Sequence, residues 1–452
     1  MADAEKLKTS FPPYLRAMLT HFVFSIPSEE RALWRRRVMS LGEKQQYFAL
    51  LENQGEPFAP SWIAEGLLAG IGAKQVLKDK GAFFSQLKNA RFSNPLMGYL
   101  GYDLKNQVEK LHSQNSDKLG TPDACLFEPY HFIKYDGKEL SISSYGDAKE
   151  FFEELATVLP KALEETPKVT LEARMSEENY LKKVAQVIDY IKQGEVYELN
   201  LCMEYFAENV KIHAPSTYEQ LMQRSEVPFA AYLKLDDIHT LCASPERFLK
   251  NDGGKLLSQP IKGTRKRGAT KLEDEALKEE LLHSEKDRAE NVMIVDLVRN
   301  DLTRSCEYGS IEVEELFGIY SFTNVHQMIS TVSGSLRKDV HWSDAIKYAF
   351  PVGSMTGAPK IRAMQLIEEL ELSKRGIYSG SIGIIYPNGD FDLNVVIRSV
   401  MYNEKDSYLS VQAGGAITYD SKAEEEFEEI QIKLSNIRKL FEKPFIHKIT
   451  DK

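Results

Sequence analysis

Four strand-like runs crowd the middle of the chain: VYELNLCMEY (196–205), FAAYLKL (229–235), HTLCASPERFLK (239–250) and KLLSQPIKG (255–263). The last three are separated only by turn-sized gaps. Strands joined that closely pair as antiparallel neighbours, because a parallel connection needs a crossover of about a dozen residues or more. The runs therefore predict an antiparallel meander. A long amphipathic helix precedes them, SEENYLKKVAQVIDYIKQG, with Ser176 as its N-cap and Gly194 as its stop. A second helix is expected over KLEDEALKEELLHSEKDRAENVMIVDLVRND, and a third closes the chain over AEEEFEEIQIKLSNIRKLFEK. VHQMISTVSGSL, SGSIGIIYP, DLNVVIRSVMY and YLSVQAGGAIT read as further strands. Residues 1–170 mix short apolar runs such as QYFALLENQ and NPLMGYLGYDL with the alternating ELSISSYG, so no βαβ rhythm develops. The Pro-flanked PKALEETPK marks a connection. The expectation is an α+β chain with an N-terminal part over 1–170 and a C-terminal part over 171–445, packed as effectively one large domain.

With 42% apolar residues among 452, the chain can bury a large core. Its net charge of −10 argues against a nucleic-acid surface, and basic runs such as Arg265-Lys266-Arg267 are short, so any anionic ligand must be met by local cations. Cys125, Cys202, Cys242 and Cys306 lie far apart without a CxxC pair, which fits a reducing cytoplasm rather than a disulfide or zinc framework. YLRAMLTHFVF is too short and too interrupted by Arg and His to span a membrane, and no signal-peptide layout precedes it.

The residues that can carry chemistry are scattered. In SQPIKGTRKRG, Lys262 stands between Ile261 and Gly263 at a strand end, where a surface lysine on a hairpin would also fit. On the closing helix, Phe427, Ile430, Leu434 and Ile437 form a core stripe, while Glu426, Glu429 and Lys433 share a neighbouring one. Asp287 and Glu290, three apart on the earlier helix, face one way. Two such acid pairs could share a hard cation such as Mg²⁺; solvated helix faces explain the same spacing. PVGSMTGAPKIRAMQLIEEL places Pro359 at a helix start followed by Ile361, Met364 and Ile367, and its free N–H groups suit an anion. It is not a P-loop, since Pro359 stands where that pattern needs glycine. QAGGAITYDS is a second glycine-rich strand end. Arg398, inside LNVVIRSVMY, needs an anionic partner if it faces inward.

Taken together, SPERF, PIKGT, DRAENVMIVDLVRND, GSMTGAPK, VVIRS and the AGGAI…DS…E..E…K series resemble, in order and approximate spacing, the chorismate-utilising enzymes. That family comprises anthranilate synthase component I, aminodeoxychorismate synthase component I and the isochorismate and salicylate synthases. GYLGYDL extends the resemblance into the N-terminal part. It implies a large fold of two antiparallel sheets packed as a sandwich with helices outside. It further implies Mg²⁺ on Glu290 and Glu429, supported by Asp287 and Glu426. Chorismate's ring carboxylate would lie against the metal and the backbone of Gly414 and Gly415, and the enolpyruvyl carboxylate would meet Arg398 and Tyr378. Ser354 would offer a hydroxyl, Lys433 would follow the metal-binding glutamates, and Glu246 would be the acid near the departing 4-hydroxyl.

Lys262 resembles the aminodeoxychorismate-forming branch, where PIKGT replaces the PIAGT of anthranilate synthases. There the lysine is expected to attack C2 of chorismate before ammonia displaces it through C4. Such a nucleophile must be neutral, and burial beside cations would lower its pKa. Glu198 stands where water-adding members have a lysine base and amine-adding members usually have glutamine, so it argues against water addition. The family's histidine falls on Gln327, with His326 one residue early and on the opposite face. Ala416 replaces a third glycine. LLEN (50–53) resembles an effector element of tryptophan-inhibited relatives, although a core strand is the favoured reading. No Gly-x-Cys-x-Gly elbow is present, so ammonia is expected from a separate glutamine amidotransferase subunit. The alternatives are anthranilate synthesis and a catalytically silent subunit, and the latter should have lost the acid pairs.

Overall fold

The computed structural model describes residues 19–54, 62–63, 66–322 and 325–441. Both outer ends of the two expected parts, 1–18 and 442–445, lie outside them. Among the described residues, 20 strands belong to one antiparallel hydrogen-bonded network with two arms. The arms diverge at Ala124–Tyr135. Its first half pairs with Leu96–Leu100 and its second with Glu139–Ser144, while Leu67–Lys78 runs along its other edge. One arm continues from Leu67–Lys78 through Tyr47–Glu52, Phe229–Leu235, Ile238–Ser244, Ser399–Asn403, Tyr408–Ile417 and Glu198–Ala207. The other runs from Leu96–Leu100 through Ser381–Ile385, Phe391–Asn394, Arg247–Asp252 and Lys255–Gln259 to Val325–Ser335, which also pairs with Ile261–Lys266 and Glu312–Ser321.

Alternation along Tyr47–Glu52 shows how the arms stack. Ala49 and Leu51 join an apolar cluster that contains Ile382, Ile384, Leu249 and Val332 of the other arm. Phe48 and Leu50 point into a second cluster with Val38, Val184, Tyr218 and Ile430 of the covering helices. The sandwich of two sheets with helices outside is therefore present as two layers of one network, because Leu67–Lys78 and Ala124–Tyr135 are 12 residues long and belong to both layers.

Local chemistry sets the helix limits. Ser176 Oγ accepts from Asn179 N–H at 3.2 Å and starts the helix Glu177–Lys192, after which Gly194 takes a φ of 80°. The acidic run read as one helix is two, Lys271–His283 and Glu285–Thr303. Ser284 ends the first and caps the second by accepting from Asp287 N–H. The closing helix likewise breaks at Leu434 into Ala423–Lys433 and Ser435–Phe441, yet Phe427, Ile430, Leu434 and Ile437 are all buried as the spacing requires. On Lys360–Leu370, Met364 and Ile367 are buried but Ile361 is 47% exposed. All four cysteines are free and buried, and among the described residues no helix is long and apolar enough to cross a membrane.

Candidate active site

The site is built where strands change layer. HTLCASPERFLK, expected as one strand, is two: Ile238–Ser244 in one arm and Arg247–Asp252 in the other. DLNVVIRSVMY divides in the same way into Phe391–Asn394 and Ser399–Asn403. Pro245 lacks a ladder donor, and Arg398 adopts a left-handed φ of 53°, a strained conformation for a non-glycine residue. The two crossings hold each other: Val395 N–H donates to Glu246 O at 3.0 Å and Ala243 N–H to Arg398 O at 3.3 Å.

Glu246 and Arg398 thereby face one space. Glu246 is 5% exposed, and its Oε1 accepts from Ser354 Oγ at 2.6 Å. Burial pushes its carboxyl up to about 7, against the opposing pull of Ser354, Lys262, the Ile261 backbone and Arg398. The Arg398 guanidinium makes no hydrogen bond or ion pair with any described residue, and burial pushes it below its ordinary range. Ser354 sits on the turn Gly353–Met355, which Lys360 and Arg375 fix in place. Lys360 Nζ donates to Pro351 O and Ala349 O and pairs with Asp301 at 2.6 Å. Arg375, 2% exposed, donates to Met355 O and Asn200 O while holding Glu371. Sequence reading gave neither residue a role, although the i, i+4 spacing of Glu371 and Arg375 is a pairing signal.

Lys262 enters from the strand Ile261–Lys266. Its Nζ donates to Glu198 Oε1 at 2.7 Å, with side chains only 11% and 2% exposed. Glu198 Oε2 is buried and has no hydrogen-bond partner among the described residues. Gly263 turns the chain at φ 87°, where a Cβ would stand 3.0 Å from Asp287. The expected lowering of the lysine is not what the structure gives. Burial alone would lower it, but Glu198, Glu290 and Glu429 outweigh that and hold the ammonium up at about 12. The adjoining Arg265 and Arg267 are not free surface cations: they pair with Glu280, Asp287 and Asp274.

Gly414 and Gly415 lie on Tyr408–Ile417, opposite Cys202 and Leu201. A Cβ on Gly414 would come within 2.4 Å of Cys202 Sγ, and one on Gly415 within 3.1 Å of Glu426 Oε2. Ala416 keeps a negative φ, so it fits the strand without strain. Lys433 Nζ donates to Gly414 O at 2.8 Å and pairs with Glu429 at 2.6 Å.

Of the four expected metal carboxylates, Glu429 is coupled electrostatically to Glu290 and to Glu426. Glu290 is pushed up to about 7 by burial, accepts no hydrogen bond from a described residue, and has only a 3.9 Å ion pair with Lys286. Glu429 is held low by Lys433, and Glu426 is raised by burial while accepting from Ser421 Oγ at 2.7 Å. Asp287 departs from expectation: its Oδ2 is taken by Arg265 at 2.9 Å. No group of three His, Cys, Asp or Glu side chains among the described residues is already gathered at metal-binding distance. The donor set nevertheless fits Mg²⁺: it is all carboxylate oxygen, and Glu290, its side chain 15% exposed, accepts no hydrogen bond from a described residue.

Tyr378 does not join Arg398. Its hydroxyl lies 3.9 Å from Cys202 Sγ, and its charged neighbours are Arg375 and Glu371. The one-residue offset of His326 has the expected effect: it bonds Ser321 and Asp274 on the helix side, while buried Gln327 Oε1 has no partner. LLEN ends a core strand whose Glu52 is held by Arg35 and Tyr218.

The model of the chorismate binding enzymes matches residues 49–439. The chain is 36% identical to the chloroplastic aminodeoxychorismate synthase of Arabidopsis thaliana over 89% of its own length and 47% of the plant protein. It thus spans about half the length of that curated relative. Aminodeoxychorismate synthase component 1 of Bacillus subtilis (strain 168) is 35% identical, with 75% of each chain covered. The crystal structure of anthranilate synthase component I from Streptococcus pneumoniae TIGR4 superposes with a TM-score of 0.74 at 25% identity, over 87% of this chain and 92% of that one. Matched over most of its length in sequence and in fold, the chain belongs to the chorismate binding enzymes.

Proposed function

We propose that this chain is the aminating component of an aminodeoxychorismate synthase, converting chorismate and ammonia to 4-amino-4-deoxychorismate on the route to p-aminobenzoate. The observation that carries this reading is Lys262, buried against Glu198 in the space shared by Glu246, Glu290 and Glu429. Arg398, unpartnered, receives a substrate carboxylate. Glu246, protonated up to about pH 7, gives its proton to the leaving 4-hydroxyl while Ser354 holds it in place. Lys262 adds to C2, and ammonia then displaces it by attack at C4. Bound Mg²⁺, held by Glu290 and Glu429 with Glu426 beside them, would supply positive charge to the ring carboxylate near Gly414 and Gly415. Ammonia comes from a glutamine amidotransferase subunit, in keeping with the component 1 relatives.

Anthranilate formation is the second reading, favoured by the Streptococcus pneumoniae likeness. Incubation with chorismate, Mg²⁺ and ammonium, with and without added aminodeoxychorismate lyase, separates the two. Lyase-dependent p-aminobenzoate is expected. Anthranilate formed without lyase as the main product would overturn the proposal.

A further inference from the structure

Lys262 cannot attack as an ammonium. It makes its one hydrogen bond with a described side chain to Glu198 Oε1, at 2.7 Å. Four carboxylates face this nitrogen's surroundings: Glu198 from the strand Glu198–Ala207, Glu290 and Glu429 from two helices, and Glu246 from the layer crossing. Glu246 is occupied by Ser354, and Glu429 by Lys433. Glu198 alone touches the lysine, and it keeps a second buried oxygen, Oε2, without any partner. An oxygen unpartnered among the described residues, in a side chain 2% exposed, is a costly arrangement unless it accepts a proton or a donor during turnover.

We propose that Glu198 is the proton acceptor of Lys262, converting it to the nucleophile that the proposed amination needs; the inference rests on that reading. The Nζ–H bond facing Oε1 breaks and its proton joins the carboxylate, leaving the electron pair on Nζ. That pair forms the bond to C2 of chorismate, the two ring double bonds each shift by one carbon, and the C4–O bond breaks with its pair. The departing hydroxyl takes the Glu246 proton and leaves as water. Nζ is now a secondary ammonium, so when ammonia attacks C4 the lysine departs as a neutral amine and recovers its proton from Glu198. No oxidant or further reactant is required. Glu198 meets a reacting atom directly and is in this sense catalytic.

The test is Glu198→Gln in the full chain with Mg²⁺ and chorismate but no ammonia, following the covalent adduct by intact mass after acid quench. Wild type should accumulate one adduct on Lys262. Glu198→Gln should form it about 10²-fold more slowly at neutral pH. Its rate should then climb with pH through the alkaline range as water takes over the proton, with chorismate binding unchanged. Glu198→Asp, which keeps the carboxylate, should recover part of the rate and provides the check that a change at this position still folds. Adduct formation by Glu198→Gln at the wild-type rate, or slowing by one factor at every pH, overturns the inference while leaving the proposed function standing. Amination by wild type without any Lys262 adduct overturns the covalent reading itself, and the inference falls with it.

Discussion

Two buried clusters pair cations with glutamates and differ in what they leave over. Near the N-terminal part, Glu52 accepts two bonds from Arg35 at 2.6 Å each and a third from Tyr218 at 2.7 Å, and Arg35 also reaches Glu219. There the carboxylate at the centre is saturated from both sides. Around Lys262, among the described residues, Glu198 keeps an orphaned oxygen, Arg398 makes no hydrogen bond or ion pair and Glu290 accepts no hydrogen bond. A saturated network rigidifies the fold, whereas an unsaturated one stores desolvation cost that a ligand can relieve. The two central pairs are buried alike, with side chains 10% and 1% exposed for Arg35 and Glu52 and 11% and 2% for Lys262 and Glu198, so burial does not distinguish structure from function here. The count of unmet bonds does.

The contrast can be broken experimentally, starting with the largest effect. Lys262→Ala should cut formation of aminated product by about 10³-fold or more, read with ammonium as nitrogen source. Arg35→Ala should instead cost about 3–5 kcal/mol of stability in denaturant unfolding and leave the turnover of the folded protein intact. Turnover lost in Arg35→Ala, or kept in Lys262→Ala, would erase the distinction. Glu290→Gln should raise the Mg²⁺ concentration for half-maximal activity by more than about tenfold, in a titration at saturating chorismate. The pH profile offers a subtler check. Glu246 titrates near 7 in the folded chain against an ordinary 4.5, so its protonated form contributes stability that is full below about 4.5 and lost as pH rises through 7. The proposed reaction gives this same proton to the leaving group, so kcat/KM should fall above about pH 7. Smallest of all, Asp287→Asn should leave the Mg²⁺ requirement unchanged and cost about 1 kcal/mol, since Asp287 serves a partly exposed pair with Arg265.

Much of this was legible in the sequence because it is local. Ser176 and Gly194 announced their helix ends, and the stripe Phe427, Ile430, Leu434 and Ile437 its buried face. The layer changes were not legible, since β-rich runs on either side of a crossing look like one strand; Pro245 was a usable signal, but the φ of Arg398 left none. Asp287 shows the same limit. Its spacing from Glu290 is right, yet its partner, Arg265, arrives from a strand 22 residues away. The state of Lys262 depended on three carboxylates from three elements, which no single motif contains. Ser284 did carry a capping signal, a serine three residues before Asp287, that separates the two acidic helices.

The paired crossings also bear on how the chain folds. Glu198 and Lys262 are 64 residues apart, Glu246 and Ser354 are 108, and the Arg375 clamp on Asn200 spans 175. Each contact closes a long loop, so its entropy must be lost before any bond rewards it. Helices can form early from neighbouring residues, but the catalytic constellation exists only after both layers have met. After dilution from denaturant, helical signal should therefore return well ahead of catalysis, making activity a late reporter of completed assembly.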